Sequence, residues 1–305
     1  MSTVSDSLSF SAPSGADAGL TPKQLAAKYG LSVSGKRPGF SQYVRELWAR
    51  RHFIVAFATA RLVAQYTTAK LGQVWQVLTP LLNCAVFYLV FGVMMNGSNG
   101  IPDYIAWLCI GVFVFQFSQS AVLSGTRAIS DNLGLIRALH FPRAALPIAF
   151  TIIQLQQLLI SMVVLVGIVM FFQLPTMSWA LVIPALLLQC VFNTGLALAM
   201  ARIGAKTSDM AQLMPFLLRT WMYTSGVMYS VQSAVDKWPT VFQVLFRMNP
   251  ASVYMDLIRY AFMPNAYNKH ALPDHIWLIA FGWALVAGVA GFIFFWKAEE
   301  EYGRG

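Results

Sequence analysis

The stretch from Ile276 to Trp296 reads IWLIAFGWALVAGVAGFIFFW and carries no Asp, Glu, Lys, Arg or His. Its 21 residues would form a helix about 31 Å long, which matches the ~30 Å hydrocarbon core of a bilayer. An uncharged run of this length is typical of a transmembrane helix. The stretch therefore predicts that the chain crosses a membrane.

The whole chain has the same bias. Of its 305 residues, 57% are hydrophobic and 11% are charged, whereas soluble chains average about 25% charged residues. This composition excludes an ordinary soluble domain. Further apolar runs approach bilayer length, and together they predict an all-α, polytopic membrane protein with six transmembrane helices. The predicted spans are residues 75–95, 104–126, 146–172, 179–201, 212–231 and 276–296.

The segments outside the spans predict three further features. Residues 1–39 are rich in Ser, Ala, Gly and Pro and predict a flexible tail before a transmembrane domain over 40–305. From Phe40, apolar residues recur at helical spacing opposite a basic face, which predicts an amphipathic helix over about 40–60 in the membrane interface. Two short apolar stretches flanking Asn249-Pro250 predict a re-entrant helical hairpin on the outer side, between the fifth and sixth spans.

The distribution of positive charge predicts the orientation. Sixteen of the 21 Lys and Arg residues fall at the two termini and in the loops on the same side, and four, including Arg259, fall in the outer loops. Because Lys and Arg concentrate in cytoplasmic segments, both termini are predicted to be cytoplasmic. The net charge of +9 therefore indicates a basic inner face and not a nucleic-acid partner.

The chemistry that is missing limits the function. Ion-coupled transporters use an intramembrane carboxylate or histidine, but the only ionisable residue in the predicted spans is Arg219, which cannot release its proton. The chain also lacks a G-x-x-x-x-G-K-[ST] phosphate loop. We therefore predict that it is not an enzyme, that it has no cofactor, and that a separate subunit supplies ATP hydrolysis. His270, Asp274 and His275 match no strong ligand spacing, so no metal site is predicted.

The loop over residues 127–145 predicts a short helix that Ser130 or Asp131 caps and Pro142 ends. An apolar stripe with basic neighbours is suited to docking into a groove on a soluble partner. The alternative is a basic loop that only follows the positive-inside rule. The stripe consists of Leu133, Ile136 and Leu139, and the neighbouring residues are Arg137, His140, Phe141 and Arg143.

Three stretches resemble the permeases of the O-antigen, teichoic-acid and capsule class of ABC exporters, and together they cover nearly everything after Phe40. The chain departs from that pattern at Gly226-Val227, where many relatives carry Ser-Pro, and at Thr79, where Asn is common before Pro80. The matching residues are Tyr66, Leu71-Gly72, Trp75, Leu78 and Pro80; Asn132-Leu133, Ile136-Arg137, Phe141-Pro142-Arg143 and Leu146-Pro147; and Met248-Asn249-Pro250, Tyr254 and Ile258-Arg259.

The resemblance implies a homodimer in the bacterial inner membrane, joined by two copies of an ATP-binding subunit that bind ATP and Mg. A lipid-linked polysaccharide would pass between the two permeases. The polar N-terminal extension and the stretch from Glu299 to Tyr302 resemble actinobacterial versions, which implies a cell-wall galactan as cargo. The ATPase-coupling loop would comprise Asp131, Leu133, Ile136, Arg137, Leu139, His140, Phe141 and Arg143, with the Phe40 helix beside it.

A polysaccharide path needs aromatic side chains that stack on sugar rings and few charges. Arg219 either reaches the inner headgroups or faces a wet cavity, where it would hold a lipid pyrophosphate. The alternative for the aromatic residues is packing or an interface belt. The candidate path residues are Phe87, Tyr88 and Phe91 in the first span and Arg219, Trp221, Tyr223 and Tyr229 in the fifth.

Two other classes of function remain open from the sequence. A permease for a drug or a small lipid would share this architecture, because the width of a path cannot be obtained from hydropathy. A membrane scaffold without transport activity would need no ATP-binding partner.

Overall fold

The computed structural model describes residues 39–67, 72, 74–94, 101–139, 141–235, 238–265, 272, 275–300 and 302, together with Thr21, Gln24 and Lys28. The chain divides into two units, Met1–Pro38 and Gly39–Gly305. The predicted tail over 1–39 therefore falls almost wholly outside the described residues.

Over these residues the chain forms α-helices and no strand, which confirms the all-α prediction. The helices are α1 (Phe40–Ala49), α2 (Arg51–Tyr66), α3 (Val74–Phe87, continued by a π-helix over Tyr88–Met94), α4 (Tyr104–Arg127), α5 (Leu133–Ala138), α6 (Ala145–Met170), α7 (Val182–Lys206), α8 (Met210–Thr224), α9 (Val231–Val235), α10 (Thr240–Arg247), α11 (Pro250–Phe262) and α12 (Ile276–Trp296). Two 3₁₀-helices, Ser130–Asn132 and Met177–Leu181, precede α5 and α7.

Five helical segments in the described part of the chain are long and apolar enough to cross a membrane. The fifth predicted span, over 212–231, is not among them; it corresponds to α8, which has only 15 residues and a length of about 22 Å. The six-span count therefore remains a prediction. The five segments are Val74–Met94, Tyr104–Arg127, Ala145–Met170, Met177–Lys206 and Ile276–Trp296.

The spanning helices differ sharply in how much of their surface the chain itself covers. The most apolar stretch of α4 is 78% buried, whereas that of α3 is only 11% buried. α4 is thus the central helix and packs against α3, α6, α7, α8 and α11. Leu82, Val86, Leu89 and Val93 leave an exposed aliphatic face on α3.

α7 and α12 approach each other closely, because glycines remove the side chains at their crossing. A Cβ atom on Gly195 would overlap the backbone carbonyl of Ala287, and one on Gly291 would overlap the carbonyl of Gly195. Small residues allow such backbone approach in membranes, where van der Waals contact drives helix association.

We expect Gly195→Ala to destabilise the protein by about 1–3 kcal/mol, the usual cost of overpacking a core. The matched control is Gly167→Ala on α6, because a Cβ atom at Gly167 has no neighbour within 4 Å. Thermal unfolding in detergent measures both variants. An equal midpoint for the two would show that the α7–α12 contact is not tight.

The segment between α8 and α12 contains the two short helices that the sequence predicts, separated at Asn249. The side chain of Asn249 caps α11 by accepting a hydrogen bond from Ala251 N at 3.1 Å, and Pro250 occupies the first turn. α11 is almost entirely buried against α4, α7, α12 and the 3₁₀-helix before α7, whereas α10 has no buried residue.

Candidate substrate path and partner-facing surface

α8 has one buried and one exposed face. Met214 and Leu218 are buried in a cluster with Val122 of α4. The residues on the opposite face follow helical spacing and are all exposed, with Phe216 at 68% and Tyr223 at 50%. We call this face the α8 stripe; it consists of Gln212, Phe216, Arg219 and Tyr223.

Arg219 is exposed at the surface of the single chain. It lies on the α8 stripe between the rings of Phe216 and Tyr223. A cation flanked by aromatic rings on an uncovered helix face is accessible to an anionic or sugar ligand.

Trp221, a predicted path residue, lies on the other face of α8. Its ring packs edge-on against Phe115 at 5.6 Å, and its Nε1 donates to Asn249 Oδ1 at 3.0 Å. Asn249 Nδ2 in turn donates to Ser225 Oγ at 3.1 Å. These hydrogen bonds join the end of α8 to the start of α11. The Asn249-Pro250 pair therefore has a structural role.

The three aromatic residues predicted on the first span are half-buried and pack against the core. The ring centroids of Phe87 and Phe91 lie 6.5 Å apart, and those of Tyr88 and Tyr104 are separated by the same distance. In the single chain they contribute to packing, and Leu82, Val86, Leu89 and Val93 form an exposed aliphatic face on α3. Tyr229 is half-buried and donates a hydrogen bond to Tyr223 O at 2.9 Å.

The predicted fifth span bends after Thr224, where α8 ends. Gly226 has φ +68, and a Cβ atom there would overlap the side chain of Val231. Only glycine adopts this conformation without strain, so the departure from Ser-Pro at Gly226-Val227 marks a turn. The turn points two backbone carbonyls inward, toward Arg259.

Arg259 of α11 is the buried cation, with 1% of its surface exposed. Its Nη1 donates to Gly226 O at 3.2 Å and its Nη2 to Val227 O at 2.9 Å. The carboxylate of Asp256, one helical turn away, lies 3.5 Å from Nη1. Arg259 thus joins α11 to the turn that follows α8.

The same guanidinium also reaches α4. Its Nε donates to Trp107 O at 3.3 Å, and its central carbon lies 3.2 Å from the centroid of the Trp107 ring. Gly111 makes room for it, because a Cβ atom at that position would overlap Nη2. Charge counting had assigned Arg259 to an outer loop. The signals that could have found it are the i,i+3 pairing with Asp256 and the glycine in an otherwise bulky α4.

A second buried polar cluster joins α1 to the start of α6 and to the C-terminus. Tyr43 Oη donates to Glu299 Oε2 at 2.8 Å and accepts from Ala144 N at 3.1 Å. Arg143 N donates to Glu299 Oε1 at 2.9 Å, and its guanidinium donates to the Glu299 carbonyl.

Burial raises the pKa of Glu299 above its usual range, and the Arg143 N–H, the Tyr43 hydroxyl and the Arg143 charge oppose that rise. Partial compensation of this kind is the condition under which a carboxylate is tolerated in a protein interior. The cluster fixes the amphipathic helix to the loop predicted to couple to an ATPase.

That loop folds as predicted in part. A short helix, α5, is present, but its N-cap residue is Asn132, not Ser130 or Asp131. Asn132 Nδ2 donates to Ala128 O at 2.9 Å, and no side chain caps the helix. Ser130 Oγ donates back to Arg127 O at 3.2 Å, which satisfies the end of α4.

The apolar stripe of α5 does not all face outward. Ile136 is buried in a cluster with Tyr43 and Phe295, while Leu139 is 48% exposed. The exposed predicted residues are Asp131, Arg137 and Leu139; Leu133, Phe141 and Arg143 are half-buried, and His140 lies outside the described residues. We call Asp131, Arg137 and Leu139 the α5 surface.

Among the described residues, no group of three His, Cys, Asp or Glu side chains is placed to hold a metal ion. Of the three loop residues weighed as ligands, only His275 is described.

The fold and these surfaces define a multi-pass helical membrane protein with a polar, aromatic stripe on one short helix. The ABC-2 type transporter model matches residues 53–263, and the chain belongs to that family of membrane permeases. Membership implies an ABC ATP-binding partner. It agrees with the family predicted from the sequence.

The chain is similar to proteins named O-antigen export system permease protein RfbA. The Myxococcus xanthus protein is 26% identical over 232 residues, covering 76% of this chain and 86% of that protein. A Klebsiella pneumoniae protein is 24% identical over 217 residues, covering 70% and 82%, respectively. A second Klebsiella pneumoniae protein is 22% identical over the same length.

Proposed function

We propose that this chain is the transmembrane subunit of an ATP-driven exporter that moves a lipid-linked polysaccharide out of the cytoplasm across a bacterial inner membrane. The observation that carries the proposal is the similarity, over 76% of the chain, to an O-antigen export permease. The cargo belongs to the O-antigen, teichoic-acid or galactan type.

The exposed faces of α3 and α8 support a path between two copies of the chain. The α8 stripe offers aromatic rings for sugar stacking and Arg219 for the pyrophosphate of a lipid-linked polymer. A helix face with a cation and a glutamine at membrane depth is costly against lipid, which favours a second copy and a wet path over it. We therefore propose a homodimer with the two α8 stripes lining the path.

The proposed topology has six spans. α8 and the turn at Gly226 form the fifth span, and α10 with α11 forms the outer re-entrant hairpin. The Lys and Arg residues concentrated at the termini and in the loops on the same side support cytoplasmic termini. On that side, the two ATP-binding subunits bind ATP and Mg. They contact the α5 surface and α1, where Trp48 is 70% exposed.

We expect Leu139→Asp to weaken binding of the ATP-binding subunit about tenfold or more, because it replaces the apolar side chain of the α5 surface with a charge. The matched control is Met177→Asp, since Met177 is 94% exposed but begins the Met177–Lys206 segment, whose opposite end lies against Thr126 of α4, next to the α5 loop. Pull-down of the co-expressed subunit from detergent measures both variants. Equal retention by the two would remove the α5 surface from the interface.

One observation favours a second candidate, a permease for a drug or small lipid. A crevice of about 710 Å³ lies between α7, α8 and α12 and is lined almost entirely by apolar side chains, including Met214, Leu217, Trp283 and Phe294. Apolar pockets of this size bind hydrophobic small molecules. Transport of a hydrophobic dye, with no effect on surface polysaccharide, would favour this candidate.

A further inference from the structure

A polar cleft lies inside the single chain, on the opposite side of α4 from the α8 stripe. Two cavities share Gln154 of α6 as a lining residue. The outer cavity, of about 440 Å³, is bordered by Arg61 and Gln65 of α2 and by Ser124 of α4. The inner cavity, of about 40 Å³, lies between α3, α4 and α6 and is lined by Gln76, Gln116, Ser120, Gln157 and Ser161 among others.

The inner cavity contains buried amide groups without partners. Gln76 is 7% exposed, and neither its Nε2 nor its Oε1 has a hydrogen-bond partner among the described residues. The Oε1 atom of Gln116 is also buried and unpaired in this part of the chain. Native proteins pair such groups with protein or with ordered water, because an unpaired buried amide destabilises the fold.

These unpaired amide groups lie deep between the helices. Gln116 lies near the middle of the 24-residue α4, about 18 Å from the outer end of the helix. The carbonyl of Gln76 is at the same level as Ser161 of α6, whose hydroxyl donates to it at 3.3 Å. Polar side chains therefore extend from Arg61 at one membrane face to the centre of a spanning helix.

The size and chemistry of the cavity select the ligand. Its described lining holds amides, hydroxyls, proline and apolar side chains but no charged group, which favours a neutral molecule that both donates and accepts hydrogen bonds. A buried water needs about 10–15 Å³ and two to four polar partners, so the inner cavity has room for a small number of waters. Gln154 also lines the larger outer cavity.

We propose that this cleft is a water site that extends from Arg61 of α2 to Gln76 of α3 and Gln116 of α4. Water then bridges α3 to α4 and α6 at a level where α3 has few packed contacts. Water exchanges hydrogen-bond partners readily, so α3 shifts against the core at lower cost than across a dry, interdigitated contact. The proposal concerns the interior of one copy and does not depend on the cargo.

Three phenylalanines of α4 provide an internal test in the unmodified protein. Phe113, Phe115 and Phe117 are all 2–3% exposed, but only Phe113 and Phe117 line the inner cavity, whereas Phe115 packs against Trp221. Hydroxyl radicals generated by X-ray radiolysis oxidise side chains that lie next to bound water. The full chain, with its ATP-binding partner in lipid nanodiscs, is irradiated and each phenylalanine is quantified by mass spectrometry.

We expect Phe113 and Phe117 to be oxidised several-fold faster than Phe115. Gln76→Leu should lower both rates toward that of Phe115, because it removes the amide that binds the water. Gln116→Leu is the second variant, should the first fold poorly. Equal and low rates for all three phenylalanines in the unmodified protein would overturn the proposal, whether or not the chain exports a polysaccharide.

Discussion

Replacing Arg259 with Leu should remove most folded protein from the membrane. The change leaves Asp256 as a buried charge without its counterion and leaves the carbonyls of Trp107, Gly226 and Val227 without their donor. Removing one partner of a buried pair typically costs about 3–5 kcal/mol, a large share of the roughly 5–15 kcal/mol that stabilises a folded domain. Fluorescence-detected size exclusion and thermal unfolding measure the loss.

Two further variants test whether the loss of folded protein arises from the particular contacts of the Arg259 guanidinium or from the removal of any arginine. Arg259→Lys should also fail, since one ammonium cannot replace a planar group that donates to three carbonyls and stacks on Trp107. Arg219→Leu makes the same chemical change at an exposed position and should leave the unfolding midpoint near that of the parent. If Arg259→Leu unfolds at the parent temperature, the cluster does not hold α11 in place.

The same Arg219→Leu variant should lower polysaccharide export about tenfold or more while leaving folding and partner binding unchanged. A charge-assisted hydrogen bond contributes about 1.5–3 kcal/mol, and Arg219 has no buried role that would explain an indirect effect. Arg219→Lys keeps the charge but loses bidentate contact with phosphate, so an intermediate rate is expected. Surface polysaccharide, normalised to the amount of folded complex, is the measured quantity.

A control on another helix distinguishes the path from general surface effects. Leu285 of α12 is 52% exposed and lies away from the α8 stripe. The Leu285→Ala variant should export the polysaccharide at the parent rate, and the Tyr223→Ala variant should export it more slowly. Export by Arg219→Leu at the parent rate would exclude the α8 stripe as the substrate path.

The spanning helices could largely be predicted from the sequence because hydropathy is a local property. The prediction over 276–296 coincides with α12, and that over 104–126 differs from α4 by one residue. The fifth span is the exception. Its first part alternates polar and apolar residues on two faces, and Gly226 turns the chain before bilayer length is reached.

The side-chain networks were harder to predict because they depend on contacts between distant segments. Arg219 lies within a long apolar run, and its position on the helix turns it outward in the single chain. Charge counting assigns Arg259 to an outer loop, yet it is surrounded by carbonyls and Trp107. Hydropathy averages over all faces of a helix and cannot distinguish these two arginines.

The partner-facing loop shows the same limit. Leu133 and Ile136 lie on α5 and Leu139 follows its last residue, but one of the three is used by the chain itself. Ile136 contributes to the cluster that holds Tyr43, so Ile136→Asp would test folding and not partner binding. The spacing of the apolar residues predicts the helix. Contacts with α1 and with the C-terminal segment determine which of its residues remain exposed.

The most direct test is reconstitution of this chain with its ATP-binding subunit in vesicles that contain lipid-linked polysaccharide extracted from the host membrane. We expect the polymer to cross to the other side, where a polysaccharide-degrading enzyme can digest it, only when ATP, Mg and both subunits are present. Arg219→Leu should reduce this signal, and Leu285→Ala should not. Polymer that stays in place despite ATP hydrolysis by the complex, or that crosses without the ATP-binding subunit, would contradict the proposed function.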